Sequence, residues 1–191
     1  MKNDTLIERY EALLQRCDER REAVQAFDRF LRAETSWLES PASTRFHLCR
    51  PRGLLEHSVN VAETLLKLRD ALAPDIPVES CVIAALFHDL GKAGMPGRPF
   101  YLPNPDRWWV EKRGVHYIVN EDLVHLDIPT RSLFLLAQHL PLTDDEAQAI
   151  RYHDGQYVDE NHNVAHRETR LTRLLQCADN WAGGVLEDET A

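Results

Sequence analysis

The sequence predicts an all-α domain, and three observations carry that reading. Apolar residues recur at three- and four-residue spacing along most of the chain, the period of a helix with one buried face. Thr5 with Glu8, and Thr143 with Glu146, have the form of a capping box, in which side chains satisfy the first turn's free N–H groups. Prolines and glycines fall between the periodic segments, where helices must stop or start.

Taken in order, the stripe Leu6, Tyr10, Leu13, Leu14 and Cys17 defines a first helix, and Val24, Phe27, Phe30 and Leu31 define a charged second one. Pro41 and Pro51 bracket an irregular stretch that holds Arg45, Phe46, His47, Arg50 and Arg52. A helix over about 54–72 turns Leu55, Val59, Ala62, Leu65, Leu66 and Leu68 inward. Pro74 and Pro77 end it and start the next, over about 78–90, with Gly91 placed for a left-handed closing turn. Residues 94–122 break the pattern. They hold Pro96, Pro99, Pro103 and Pro105 with Tyr101, Trp108, Trp109 and Tyr117, and predict a long ordered loop with a short hairpin. Such loops are often lids or binding surfaces. Helices resume over about 129–140 and from Thr143 to near His153, Asp154-Gly155 reads as a turn, and a last helix over about 168–181 stops at Gly183-Gly184. With no repeat and no clear linker, residues 1–40 are expected to form an N-terminal helical extension packed on a domain spanning 41–191.

Composition narrows the function. Of 191 residues 43% are apolar, enough for a core without disulfides. Lys and Arg number 22 against 31 Asp and Glu, a net charge of −9 that disfavours duplex nucleic acid, whose binding relies on cations at phosphates. The longest apolar run, Cys81 to Phe87, is far short of the roughly 20 residues that span a bilayer. The start, Met1-Lys2-Asn3-Asp4-Thr5, lacks a leader's apolar core, and Cys17, Cys49, Cys81 and Cys177 form no CxxC pair. A cytoplasmic protein with reduced thiols and no membrane contact is expected.

The chemistry is concentrated in a few positions. His88 and Asp89 stand together at the end of the apolar segment Val82-Ile83-Ala84-Ala85-Leu86-Phe87. Burying an imidazole beside a carboxylate is costly unless something compensates both, and a divalent metal does so. His57 lies near the start of one predicted helix and Asp179 within another, so four side chains from three helices could meet on one ion inside a bundle. Singly, each has an ordinary structural explanation: a hydrogen-bonded core histidine, a helix cap, an exposed acid.

Leu54-Leu55-Glu56-His57-Ser58, His88-Asp89-Leu90-Gly91-Lys92 and Ala178-Asp179 together resemble the H…HD…D signature of the HD-domain metal-dependent phosphohydrolases, over about residues 50–182. The resemblance implies an all-α bundle and the ligands His57, His88, Asp89 and Asp179. It implies a divalent transition metal (Mn, Fe, Co, Ni or Zn, with Mg also compatible), and hydrolysis of a phosphoester by a water that the ion activates. The expected substrate is a nucleotide or a related small phosphorylated molecule. Lys92 falls where many members place a phosphate-contacting lysine, and Asp89 or Asp179 is suited to take the water's proton, with Asp89 the catalytic candidate. His153 is a further catalytic candidate, and Arg52 and Trp109 are candidate substrate contacts. Ile150-Arg151-Tyr152-His153-Asp154-Gly155 resembles the segment where two-metal relatives, including cyclic-dinucleotide phosphodiesterases, carry a His-His pair. This chain has His-Asp there, so one ion per chain is favoured over two, with His116, His125, His139 and His153 as the remaining donors.

Two other classes stay open. One is a regulatory or binding module of the same fold with weak or no catalysis, in which the charged run Glu19-Arg20-Arg21-Glu22 pairs with another chain, including a second copy. The other is a phosphodiesterase or single-strand nuclease with a two-metal site. Arg45, Arg50, Arg52, Lys92, Arg98, Arg107, Lys112 and Arg113 support the nuclease, and the overall negative charge opposes it.

Overall fold

A computed structural model describes residues 5–188; the leader reading at Met1–Asp4 lies outside them. Among the described residues there are eight α-helices: α1 (Thr5–Leu14), α2 (Arg21–Glu34), α3 (Gly53–Leu72), α4 (Val78–Phe87), α5 (Arg107–Arg113), α6 (Ile128–Leu136), α7 (Asp144–Arg151) and α8 (Arg170–Trp181). Two short strands, β1 (Tyr101–Pro103) and β2 (Tyr117–Val119), pair antiparallel with Leu102 opposite Ile118. Among the described residues no helix is long and apolar enough to cross a membrane.

The middle of the core is α3 against α4. Every α4 residue from Glu79 to Phe87 is buried, which explains its nearly unbroken apolar sequence: a helix covered on all sides needs no polar stripe. α3 turns Leu54, Leu55, Val59, Ala62 and Leu65 into the same cluster, and α8 adds Leu171, Leu175 and Ala178. Tyr10 of α1 and Phe27 and Leu31 of α2 belong to that cluster as well, as does Trp37.

Several local expectations are corrected. Thr5 already lies within α1 instead of capping it. α4 stops at Phe87, three residues earlier than the periodicity suggests, because a 3₁₀ turn over Leu90–Ala93 takes over. Gly91 does not have positive φ; Gly94 does, at 86°. Gly91 is needed for a different reason, since a Cβ there would lie 2.4 Å from the Ile128 carbonyl oxygen. The 94–122 stretch holds the expected strand pair, and also α5, whose N-cap Asp106 accepts from the Trp108 N–H and whose closing Gly114 has φ 65°. α5 buries no residue, so it leaves no apolar stripe in the sequence. The Thr143–Glu146 capping box forms as expected.

The run Glu19–Glu22 turns its central charge inward. Arg20 donates to Glu79 at 2.5 Å, to both Glu146 oxygens at 2.8 and 2.6 Å, and to the Pro141 carbonyl at 2.8 Å. Glu79 also accepts the Glu19 and Arg20 N–H groups. A buried carboxylate needs such a partner, and this one ties the α1–α2 link to α4 and α7.

Candidate metal centre

Three helices bring the motif residues to one place. His57 lies on the second turn of α3, His88 and Asp89 follow directly on α4, and Asp179 lies on the last turn of α8. His57 Nε2 is 3.1 Å from Asp179 Oδ1 and 3.7 Å from Asp89 Oδ2. His88 Nε2 is 3.6 Å from Asp89 Oδ2 and 3.8 Å from Asp179 Oδ1. Two triads of donor atoms, His57–His88–Asp179 and His88–Asp89–His153, each lie mutually within 4.8 Å.

The histidines arrive with their tautomers set. His88 Nδ1 donates to the Ala85 carbonyl at 2.8 Å and His153 Nδ1 to the Ile150 carbonyl at 2.9 Å. His57 Nδ1 faces the Glu187 carboxylate at 3.0 and 3.2 Å. Carbonyls and carboxylates only accept, so the proton sits on Nδ1 in each ring and the three Nε2 atoms converge, which is how metal-ligating imidazoles are ordinarily held. His88 is fully buried, and among the described residues its Nε2 has no hydrogen-bond partner. An orphaned buried nitrogen beside two carboxylates fits a divalent cation.

Without an ion, the charges of the cluster are balanced among its own side chains. Burial holds His88 neutral, with its pKa down to about 4. Burial opposes charge on His57 too, but Asp179 and Glu187 outweigh it and raise the pKa to about 10. At His153 burial is outweighed by Asp89, giving about 9. Asp89 is buried, yet Lys92 and then His153 keep its carboxyl well below the usual range, and Asp179 is held low against burial chiefly by His57. Lys92 Nζ is 2.5 Å from Asp89 Oδ2, and that carboxylate keeps it charged despite burial.

With His88 fully buried beside them, His57, Asp89, Lys92, His153 and Asp179 line an open cleft of about 890 Å³. Lys92 and Arg151 are its two Lys/Arg residues, against Asp89, Asp127, Asp154, Glu160 and Asp179, so an added divalent ion would offset an acidic wall. The lower wall is the start of α6, and Arg131, 2% exposed, holds the preceding loop by donating to the Val124 and Leu126 carbonyls.

Not every sequence candidate is brought in. Trp109 is 44% exposed on α5 and does not line the cleft; Arg52 sits at the left-handed position before α3 and does not line it either. His125 reaches the cleft, whereas His139 stacks on Phe27 with ring centres 5.2 Å apart and lies tilted against Phe30. His116 is exposed outside the cleft, its backbone N–H on the Thr44 carbonyl. Sequence reasoning missed Glu187, His47 and Arg151. Glu187 lies beyond the glycine pair at which the last helix is expected to stop, and no spacing pointed to it.

The chain belongs to the HD domain family: the family model for the HD domain matches residues 54–182, well over half the sequence. No curated protein and no solved structure matched it. The family is one of helical, metal-dependent hydrolases, which agrees with the helical architecture and with His/Asp groups here that could hold an ion.

Proposed function

We propose that this protein is a metal-dependent phosphohydrolase that cleaves a phosphoester of a nucleotide or a related small phosphorylated molecule. The observation that carries the reading is the convergence of His57, His88, Asp89 and Asp179, with His88 Nε2 unpartnered, at the foot of a cleft that also holds Lys92. A divalent transition ion (Mn, Fe, Co, Ni or Zn, with Mg compatible), one per chain, supplies Lewis acidity toward a phosphoryl oxygen and toward water when bound. The chain supplies the rest. Asp89, ionised, accepts the attacking water's proton, and Lys92 offers positive charge where the phosphoryl group gathers negative charge. His153, with Nε2 3.5 Å from Asp89 Oδ1, is placed to pass a proton to the leaving oxygen. Arg151 adds a second cation at the wall. Tyr10, Phe27 and Leu31 share the central core, so residues 5–40 belong to the same folding unit in this reading.

A second reading follows from the His88–Asp89–His153 triad: a two-metal phosphodiesterase in which His153 is a ligand. The test is a turnover screen with added Mn²⁺, Co²⁺ or Zn²⁺ on p-nitrophenyl phosphate, nucleotides and a cyclic dinucleotide. Metal-dependent release of phosphate or nucleoside, lost in Asp89→Ala with unchanged helical circular dichroism, is the expected result. Cleavage restricted to the cyclic dinucleotide favours the second reading, and no turnover on any ester overturns both in favour of a binding module.

A further inference from the structure

The family match ends at residue 182, but the chain makes one more inward contact. A π-type turn over Ala182–Leu186 leaves Trp181, Val185 and Leu186 at the surface and returns Glu187 to the interior, where it is 5% exposed. Its backbone N–H donates to the Ala182 carbonyl at 3.0 Å. Its carboxylate oxygens lie 3.0 and 3.2 Å from His57 Nδ1, and Asn60 Nδ2 donates to Oε1 at 3.1 Å.

We propose that Glu187 is the positioning residue that fixes His57 as an Nε2 metal ligand, so that metal affinity depends on the C-terminal turn as well as on the four motif residues. The inference rests on the metal centre proposed above. Glu187 stands on the Nδ1 side of the ring, opposite the nitrogen that faces Asp179 and Asp89, and so cannot share an ion held there. Its role is to accept the Nδ1 proton, orient the ring and make Nε2 a stronger donor. His88 and His153 obtain the same service from carbonyls three residues earlier. His57 takes it from a side chain 130 residues away. That difference makes His57 the ligand whose orientation can be lost without disturbing its own helix.

His47 offers an alternative use of the same acid. Its Nε2 is 3.9 Å from Glu187 Oε2, and donor atoms of His47, His57 and Glu187 lie within 4.8 Å of one another, close enough to hold an ion of their own. In that arrangement His57 Nδ1 would carry no proton, so tautomer and stoichiometry separate the two.

The full chain and its Glu187→Ala, Glu187→Gln and Asn60→Ala variants are titrated with Co²⁺ against a chelating dye, with apoprotein melting curves alongside. The His57 tautomer is read from ¹⁵N spectra of the Zn²⁺ form. Glu187→Ala is expected to weaken Co²⁺ binding about 10- to 100-fold at unchanged stoichiometry. Glu187→Gln, which keeps an uncharged acceptor, falls between it and wild type, and Asn60→Ala shows a smaller loss with the Nδ1–H form retained. A merely structural role would lower the melting temperature without this graded order. Affinity of Glu187→Ala within about twofold of wild type, where outer-shell loss predicts tenfold or more, overturns the proposal. So does loss of one of two ions. Where Glu187→Ala does not fold, wild-type affinity in Glu187→Gln overturns it. Failure of the wild type to bind Co²⁺ removes the centre itself, whereas tight binding by every variant removes only the role of Glu187.

Discussion

Gly91→Ala adds one methyl group between the turn that carries Lys92 and the helix that walls the cleft. The new Cβ would lie 2.4 Å from the Ile128 carbonyl oxygen and 3.1 Å from Arg131 Cβ. Ordinary contact begins near 3.4 Å, so the start of α6 must retreat by about 1 Å, and the buried Gly91 N–H to Ser132 Oγ bond of 2.8 Å is stretched with it. Overpacking of this kind costs about 1–3 kcal/mol, and each kcal/mol lowers the melting temperature of a chain of this size by about 2–4 °C. The variant is therefore expected to melt about 2–12 °C below wild type in a differential scan. Two other views of Gly91 predict otherwise. Were it an unconstrained helical glycine, alanine would stabilise by up to about 1 kcal/mol. Were it a left-handed closing residue, Gly91→Asn would be milder than Gly91→Ala, because asparagine tolerates that conformation. A melting temperature at or above wild type for Gly91→Ala, or rescue by asparagine, would refute the close-approach argument.

Arg20→Met leaves Glu79 and Glu146 buried without their cation and is expected to cost about 3 kcal/mol by urea denaturation, toward the low end because Arg20 is 17% exposed. Glu146 is buried, yet Arg20 lowers its folded pKa, so its contribution is present above the ordinary 4.5 and is lost as pH falls through the folded value; the wild-type advantage should shrink on acidification from neutral pH to below 4.5. In the metal-free chain, His57's raised pKa contributes stability that is complete below 6.5 and is lost as pH climbs through about 10. Metal binding at His57 Nε2 must displace that proton, so affinity rises with pH, and calorimetry in two buffers should register release of about one proton per ion at pH 7. Lys92→Met removes a cation 2.5 Å from Asp89 Oδ2 and should hold or raise metal affinity while lowering kcat about 100-fold or more; parallel loss of both would place Lys92 in the metal's support instead.

Much of the architecture was legible because long amphipathic periods and caps are local signals. α3, whose buried residues include Leu55, Val59, Ala62 and Leu65, was readable from its stripe, and α7 from Thr143 and Glu146. α5 was not, because Asp106 and Gly114 bracket seven residues that bury nothing. Gly91 was misread since a glycine's close approach to another helix leaves no trace in its own neighbourhood. His57, His88, Asp89 and Asp179 stood out because their chemistry is improbable in apolar helices. Arg20, by contrast, looked like any surface charge, and its two acids lie 59 and 126 residues away. Glu187 was hidden in the same way: its partner is distant and no period links them.

The proposed chemistry stands or falls with a metal held by His57, His88, Asp89 and Asp179. Elemental analysis of the full chain purified without chelator, beside a His88→Ala, Asp89→Ala double variant, tests it most directly. About one transition metal per wild-type chain, absent from the variant, is the predicted result for a His₂-carboxylate₂ site. No metal in either protein, even after incubation with Mn²⁺ or Ni²⁺, would contradict the proposal.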